Sequence, residues 1–322
     1  MDDLDRLLAE TMRDAAQRAP SDDDLLDSVR RRSDRRRRQR ISTGLSAVAA
    51  VLAVGIPTLV LRTSATGPPS AHATPTTPAA VAVRLADGYR APTFPYTLPA
   101  AAGMRAPVAS MDGGNLVAFF EATEQRHHAD TTVTVSGRKP AFAGSATETP
   151  VQVRGHTGFL RTADVRPARQ LTLYWRESAA RWIRLATDDT YTPQQVVALA
   201  DALSPASIAV LPPFRLDLGP AGFVADTVTE STMAFRTSAT ASDAYKVEVV
   251  LRKRRQLSRT NETVGAYEAA LTHDAGGATL DVDVTDWNAT LEVTVGSGLT
   301  MSDADLLRLA AGVHILNRSN PA

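Results

Sequence analysis

Ser136-Gly137-Arg138-Lys139 has the spacing of a serine nucleophile with a lysine base. That chemistry needs the serine at a helix start, with the amine one turn on to take its proton. Here the four residues follow a strand-like run and precede Pro140, which is turn composition. The companion motifs are missing: Ser242-Asp243 continues into Ala244, and Lys-Thr-Gly does not occur. His127-His128 with Asp130 resembles a fragment of a metal site, but neighbouring strand residues face opposite ways, and a solvated loop explains them better. Asp281, Asp283 and Asp286 lack the glycine-containing loop that calcium spacing requires and read as the wet face of a strand. Arg252-Lys253-Arg254-Arg255 reads as an edge strand guarded by charge in preference to a surface for anionic lipid or cell-wall polymer. Trp175, Trp182 and Trp287 read as hairpin packing, not as a ligand cage. Without cysteine, disulfides, thiolate metal sites and a Cys nucleophile are excluded. No phosphate-cradling loop or dinucleotide fingerprint occurs either. The expectation is a protein that is not an enzyme, with no catalytic residue, no metal and no cofactor.

Lys+Arg and Asp+Glu each number 35 in 322 residues, so no global field points to nucleic acid as a direct partner. Charge is distributed unevenly, however. Arg35, Arg36, Arg37, Arg38 and Arg40 lead into Ile41–Leu61, which carries no charge. At about 1.5 Å per residue a helix over 41–61 reaches across roughly 30 Å of hydrocarbon. The pattern predicts a transmembrane helix flanked by those arginines, in the lipid bilayer of a cell membrane. The protein is then single-pass, a signal-anchor type with a cytoplasmic N-terminus and an extracytoplasmic C-terminal part. Cleavage near Ala71-His72-Ala73 and a buried soluble helix are the competing readings.

Residues 1–40 carry two apolar stripes. Leu4, Leu7, Leu8, Met12 and Ala15 fall on one helical face. After Ala19-Pro20, Ser21 and Asp22–Asp24 signal a second helix start, and Leu25, Leu26 and Val29 follow. Two helices this short bury little against each other, so Leu4, Leu7, Leu8, Met12, Leu25, Leu26 and Val29 are the candidate partner-binding residues. Helices lying on the membrane, or a mostly disordered tail, are the bland alternatives.

Residues 62–87 are rich in Pro, Thr and Ala and read as a linker. Beyond it the chain repeats itself, in units 88–210 and 211–322. Phe94–Leu98 is echoed by Phe214–Leu218, and Gly155 by Gly265. The strand pair Leu171–Trp175 and Trp182–Leu185 is echoed by Thr279–Thr285 and Thr290–Val295, out of phase by one residue. Each copy ends in a capped helix, opened by Thr192-Pro193 or by Ser302-Asp303. The fold class expected is therefore α+β: short cytoplasmic helices, one transmembrane helix, and two tandem antiparallel-sheet-plus-helix units.

The order of glycine, hairpin with a tryptophan and capped helix resembles the half-barrel of the lipoprotein-carrier proteins LolA and RseB. The whole layout is similar to actinobacterial membrane proteins that accompany extracytoplasmic-function sigma factors. That resemblance implies an anti-sigma-like regulator, its N-terminal helices holding a sigma factor and its repeats sensing or scaffolding. The zinc motif of such regulators needs cysteine, which this chain lacks, so its helices would act alone. The alternative is an anchored extracytoplasmic binding module for lipid or cell-wall material.

Overall fold

The computed structural model describes residues 80–322, apart from 125–126, 166–167 and 239–241. Strands take up 55% of these residues and helices 11%.

Two short strands, β1 (Val81–Ala82) and β2 (Leu85–Asp87), come first. The first repeat holds β3 (Thr93–Thr97), β4 (Val108–Asp112), β5 (Asn115–Phe120), β6 (Thr131–Ser136), β7 (Thr147–Val153), β8 (His156–Val165), β9 (Ala168–Ser178) and β10 (Arg181–Asp188), then helix α1 (Pro193–Asp201) and β11 (Ser204–Ala209). The second repeat holds β12 (Phe214–Leu216), β13 (Leu218–Pro220), β14 (Phe223–Val228), β15 (Thr232–Thr237), β16 (Lys246–Lys253), β17 (Glu262–Val264), β18 (Tyr267–Asp274), β19 (Gly277–Val284), β20 (Ala289–Gly296), β21 (Leu299–Thr300), helix α2 (Asp303–Ala311) and β22 (Val313–Ile315).

Fourteen strands form one antiparallel sheet. Outward from its middle, one half runs β4-β5-β6-β10-β9-β8-β7 and the other β14-β15-β16-β20-β19-β18-β17. The two halves have the same topology and meet edge to edge where Val228 pairs with Met111. In each repeat the first strand pairs with the last, β3 with β11 and β12 with β22. Residues 81–87 belong to the second repeat: β1 lies parallel to β21 and β2 pairs with β13. Val83 between them is buried in the second core.

Alternation explains which face is dry. Leu280, Val282 and Val284 are buried, while Asp281 and Asp283 between them face the other side of the sheet. Leu291, Val293 and Val295 continue the buried face on β20, and Leu171, Leu173, Trp175, Ile183 and Leu185 form it in the first repeat. The phase difference between the two hairpins is a register shift at Arg181/Trp182, where β10 bulges against β9. Each helix lays its apolar stripe on that face: Val196, Leu199 and Ala200 in α1, Leu306, Leu309 and Ala310 in α2. Thr192 opens α1 with a full capping box, its Oγ1 accepting from Gln195 N at 3.3 Å while Gln195 Oε1 accepts from Thr192 N at 2.8 Å. Ser302 opens α2, its Oγ accepting from Asp305 N at 3.1 Å.

Three expectations are corrected. The α+β class gives way to a mostly β architecture, because the described α-helices are two pieces of nine residues against a fourteen-stranded sheet. The transmembrane-helix reading is not upheld. No described helix is long and apolar enough to cross a membrane, and nine residues rise only about 14 Å against roughly 30 Å of hydrocarbon. With it the single-pass, signal-anchor placement in the cell membrane, N-terminus cytoplasmic, is withdrawn. The span read at 41–61 lies outside the described residues, as do Arg35, Arg36, Arg37, Arg38 and Arg40.

Candidate functional site

Cross-strand register equates the repeats residue by residue. Two-residue turns join Val153 to His156 and Val264 to Tyr267, so Arg154 corresponds to Gly265 and Gly155 to Ala266. The expected Gly155–Gly265 echo is therefore off by one: Arg154 and Gly155 have φ of 50° and 75°, and Gly265 alone has 62° in its turn. Next, Gly158 faces Trp175 as Ala269 faces Val282, and Trp175 faces Ile183 as Val282 faces Leu291. Two residues on, Glu177 corresponds to Val284. Counted from the helix caps, Asp201 corresponds to Ala311 and Leu203 to Val313.

In the first repeat these positions form a plug. Trp175 is fully buried and donates its indole N–H to Glu177 Oε2 at 2.6 Å. Arg154 Nε donates to Glu177 Oε1 at 3.3 Å, its backbone N–H donates to Asp201 Oδ1 at 2.7 Å, and Nη1 reaches the Leu203 carbonyl. The guanidinium also stands 5.9 Å from the Tyr96 ring centroid. Gly158 is small for a reason: a Cβ there would lie 2.8 Å from Val153 Cγ1 and 3.2 Å from Trp175 Cβ.

In the second repeat the four plug residues are Gly265, Val282, Val284 and Ala311, and a pocket of about 350 Å³ takes their place. Its floor is Val282, Val284 and Leu291 from the sheet, and its far wall is Ala310, Ala311 and Val313. Val264, Tyr267, Trp287, His314 and Ile315 complete the lining. The polar groups at the rim are already engaged. Tyr267 donates its phenol O–H to Asp286 Oδ2 at 2.8 Å, a bond that pushes the phenol above its ordinary range. His314 Nε2 meets Asp217 Oδ2 at 2.7 Å, and this hydrogen bond holds the Asp217 carboxyl below its usual range. What remains is a half-open pocket whose side chains are mostly apolar, with the rings of Tyr267 and Trp287 among them and polar surface between.

A larger depression of about 750 Å³, lined by Lys253, Arg254, Gln256, Leu257, Glu268, Asp283 and Asn288, lies over β16 and β19. Two of its charges, Arg254 and Asp283, are spent on one another, and the pairing continues beside it. Arg254 binds both oxygens of Asp283 at 2.8 Å, Arg252 binds both of Glu292 at 2.8 and 2.6 Å, and Arg255 pairs with Asp281 and Glu292. Arg252, Arg254 and Arg255 thus form an ion-pair ladder with the acidic strand face, and β16, expected at an edge, lies between β15 and β20.

The other sequence candidates have structural roles. Ser136 ends β6 and donates its hydroxyl to the Arg138 carbonyl at 2.7 Å, a turn. Lys139 stands over the Phe159 and Tyr174 rings at 5.8 and 5.7 Å. His128 packs on Tyr191, and Asp130 accepts the Ala122 N–H at 2.9 Å. Among the described residues no group of side chains is arranged to hold a metal ion. Leu4, Leu7, Leu8, Met12, Leu25, Leu26 and Val29 lie outside the described residues. Trp287, expected only to pack, lines the pocket from a single helical turn at Thr285–Trp287. The missed signal was the substitution of Gly265 and Val282 for Arg154 and Trp175, visible only once the hairpins are aligned by register.

Comparison of the chain with protein-family models, with curated proteins and with solved structures gives no match.

Proposed function

We propose that this protein is a tandem-repeat binding module, not an enzyme, in which the second repeat receives a small, largely apolar ligand and the first is its closed scaffold. One contrast carries the reading: the space filled by Arg154, Trp175, Glu177 and Asp201 in the first repeat is open in the second, in a pocket whose side chains are mostly apolar. Its volume falls at the low end of the roughly 300–1,000 Å³ of small-molecule sites, and apolar walls with few polar groups are their usual lining.

The neutral lipid probe N-phenyl-1-naphthylamine tests this by its fluorescence. The full chain is expected to take up one probe, and Val282→Trp, which restores the indole of the first repeat, to take up none. No uptake by the wild type, or unchanged uptake by the variant, refutes the reading.

A further inference from the structure

We infer that the pocket of the second repeat takes a neutral, flat aromatic group about the size of an indole. The inference rests on the binding reading above and narrows it. The first repeat displays the occupant of the equivalent space: the indole of Trp175, fully buried on the strand pair β8–β9. In the second repeat Val282 stands at that position and withdraws the ring.

Charge supports the same conclusion. Arg154, Glu177 and Asp201 are the charged groups of the plug, and Gly265, Val284 and Ala311 replace all three at once. A cationic ligand would meet neither of the carboxylates that receive Arg154, and an anionic one would meet no guanidinium. Asp217 and Asp286 already hold His314 and Tyr267 of the lining. Burying an unpaired charge among Val264, Val282, Val284 and Leu291 is heavily penalised, so the complement of this pocket is uncharged. The rings of Tyr267 and Trp287 at its mouth suit an aromatic guest, since offset or edge-on ring pairs gain beyond their buried area. The group is either a free small molecule or the side chain of a peptide, and the pocket's chemistry is common to both.

Calorimetry on the full chain separates the possibilities with four probes: indole, n-octanol, N-methylquinolinium and a neutral glycine-rich peptide carrying one tryptophan. Indole is expected to bind about tenfold tighter than either n-octanol or N-methylquinolinium. Binding of the peptide together with indole assigns a side chain as the guest, and indole alone a free molecule; both sustain the inference. If n-octanol equals indole, the binding reading stands and the aromatic inference falls. If N-methylquinolinium equals indole, the neutral assignment falls. If neither indole nor n-octanol binds, the pocket reading falls with it. The ranking is read on the wild type, so it does not depend on any variant folding.

Discussion

Tyr89 is the residue that both cores share. It packs against the buried cluster of each repeat and meets the Phe235 ring edge-on at 5.7 Å, yet its buried hydroxyl has no hydrogen-bond partner among the described residues. Burial pushes its pKa up to about 12. The sign follows from which form the fold favours. The neutral phenol is favoured, so its contribution is complete below the unfolded value near 10 and is lost as pH rises from there toward 12. Tyr89→Phe removes an unsatisfied polar atom at almost constant shape, and is expected to raise stability at pH 7 by about 1 kcal/mol. It should also remove the part of the alkaline loss between pH 10 and 12 that Tyr89 causes. Urea denaturation across that range checks both statements; equal stability at pH 7 and an unchanged alkaline slope would count against them. At the same scale, the contrast between Arg154 and Gly265 lay open in the sequence, but it was paired one position out. Glycine matched to glycine is an attractive echo, and only the backbone register shows that the two turns place theirs differently.

At the scale of elements, α2 is the wall of the pocket. Ala310 and Ala311 line it, and the helix is held at its start by Ser302, whose Oγ accepts from Asp305 N and donates to Asp305 Oδ2 at 2.8 Å. Ser302→Ala is expected to cost about 1 kcal/mol, as N-caps commonly do, and to weaken probe binding while leaving the first repeat intact. Hydrogen exchange reads this directly: faster exchange should be confined to α2 and its neighbours, and a uniform change across both repeats would mean the cap acts globally. These helices and the β9–β10 and β19–β20 hairpins were legible in the sequence. Cap residues and a two-residue alternation are local signals that burial then fixes. What was not legible is how far β outweighs α, since short edge strands such as β1, β2, β13 and β21, two or three residues each, carry no periodicity to detect.

At the scale of the molecule, the repeats form one continuous sheet with the same topology on either side of the β4–β14 junction. That junction has one paired position, Val228 with Met111, supplemented by Gly114 N–H donating to the Asp226 carbonyl at 2.8 Å. Residues 81–87 strap across to the second repeat before the chain enters the first, so the second repeat is clasped by both strand pairs β1–β21 and β2–β13. The repetition was visible in the sequence. The joining of the halves was not, because strand order across a sheet depends on long-range pairing that no local pattern encodes. The four plug positions set the halves apart: one is filled by its own side chains, the other left open. Methyl NMR of the full chain during titration with indole reads this contrast. Shifts are expected at Val264, Val282, Val284, Leu291 and Val313, with Val153, Ile183 and Leu203 of the first repeat unmoved. Shifts at the first-repeat set, or at neither set, would contradict it.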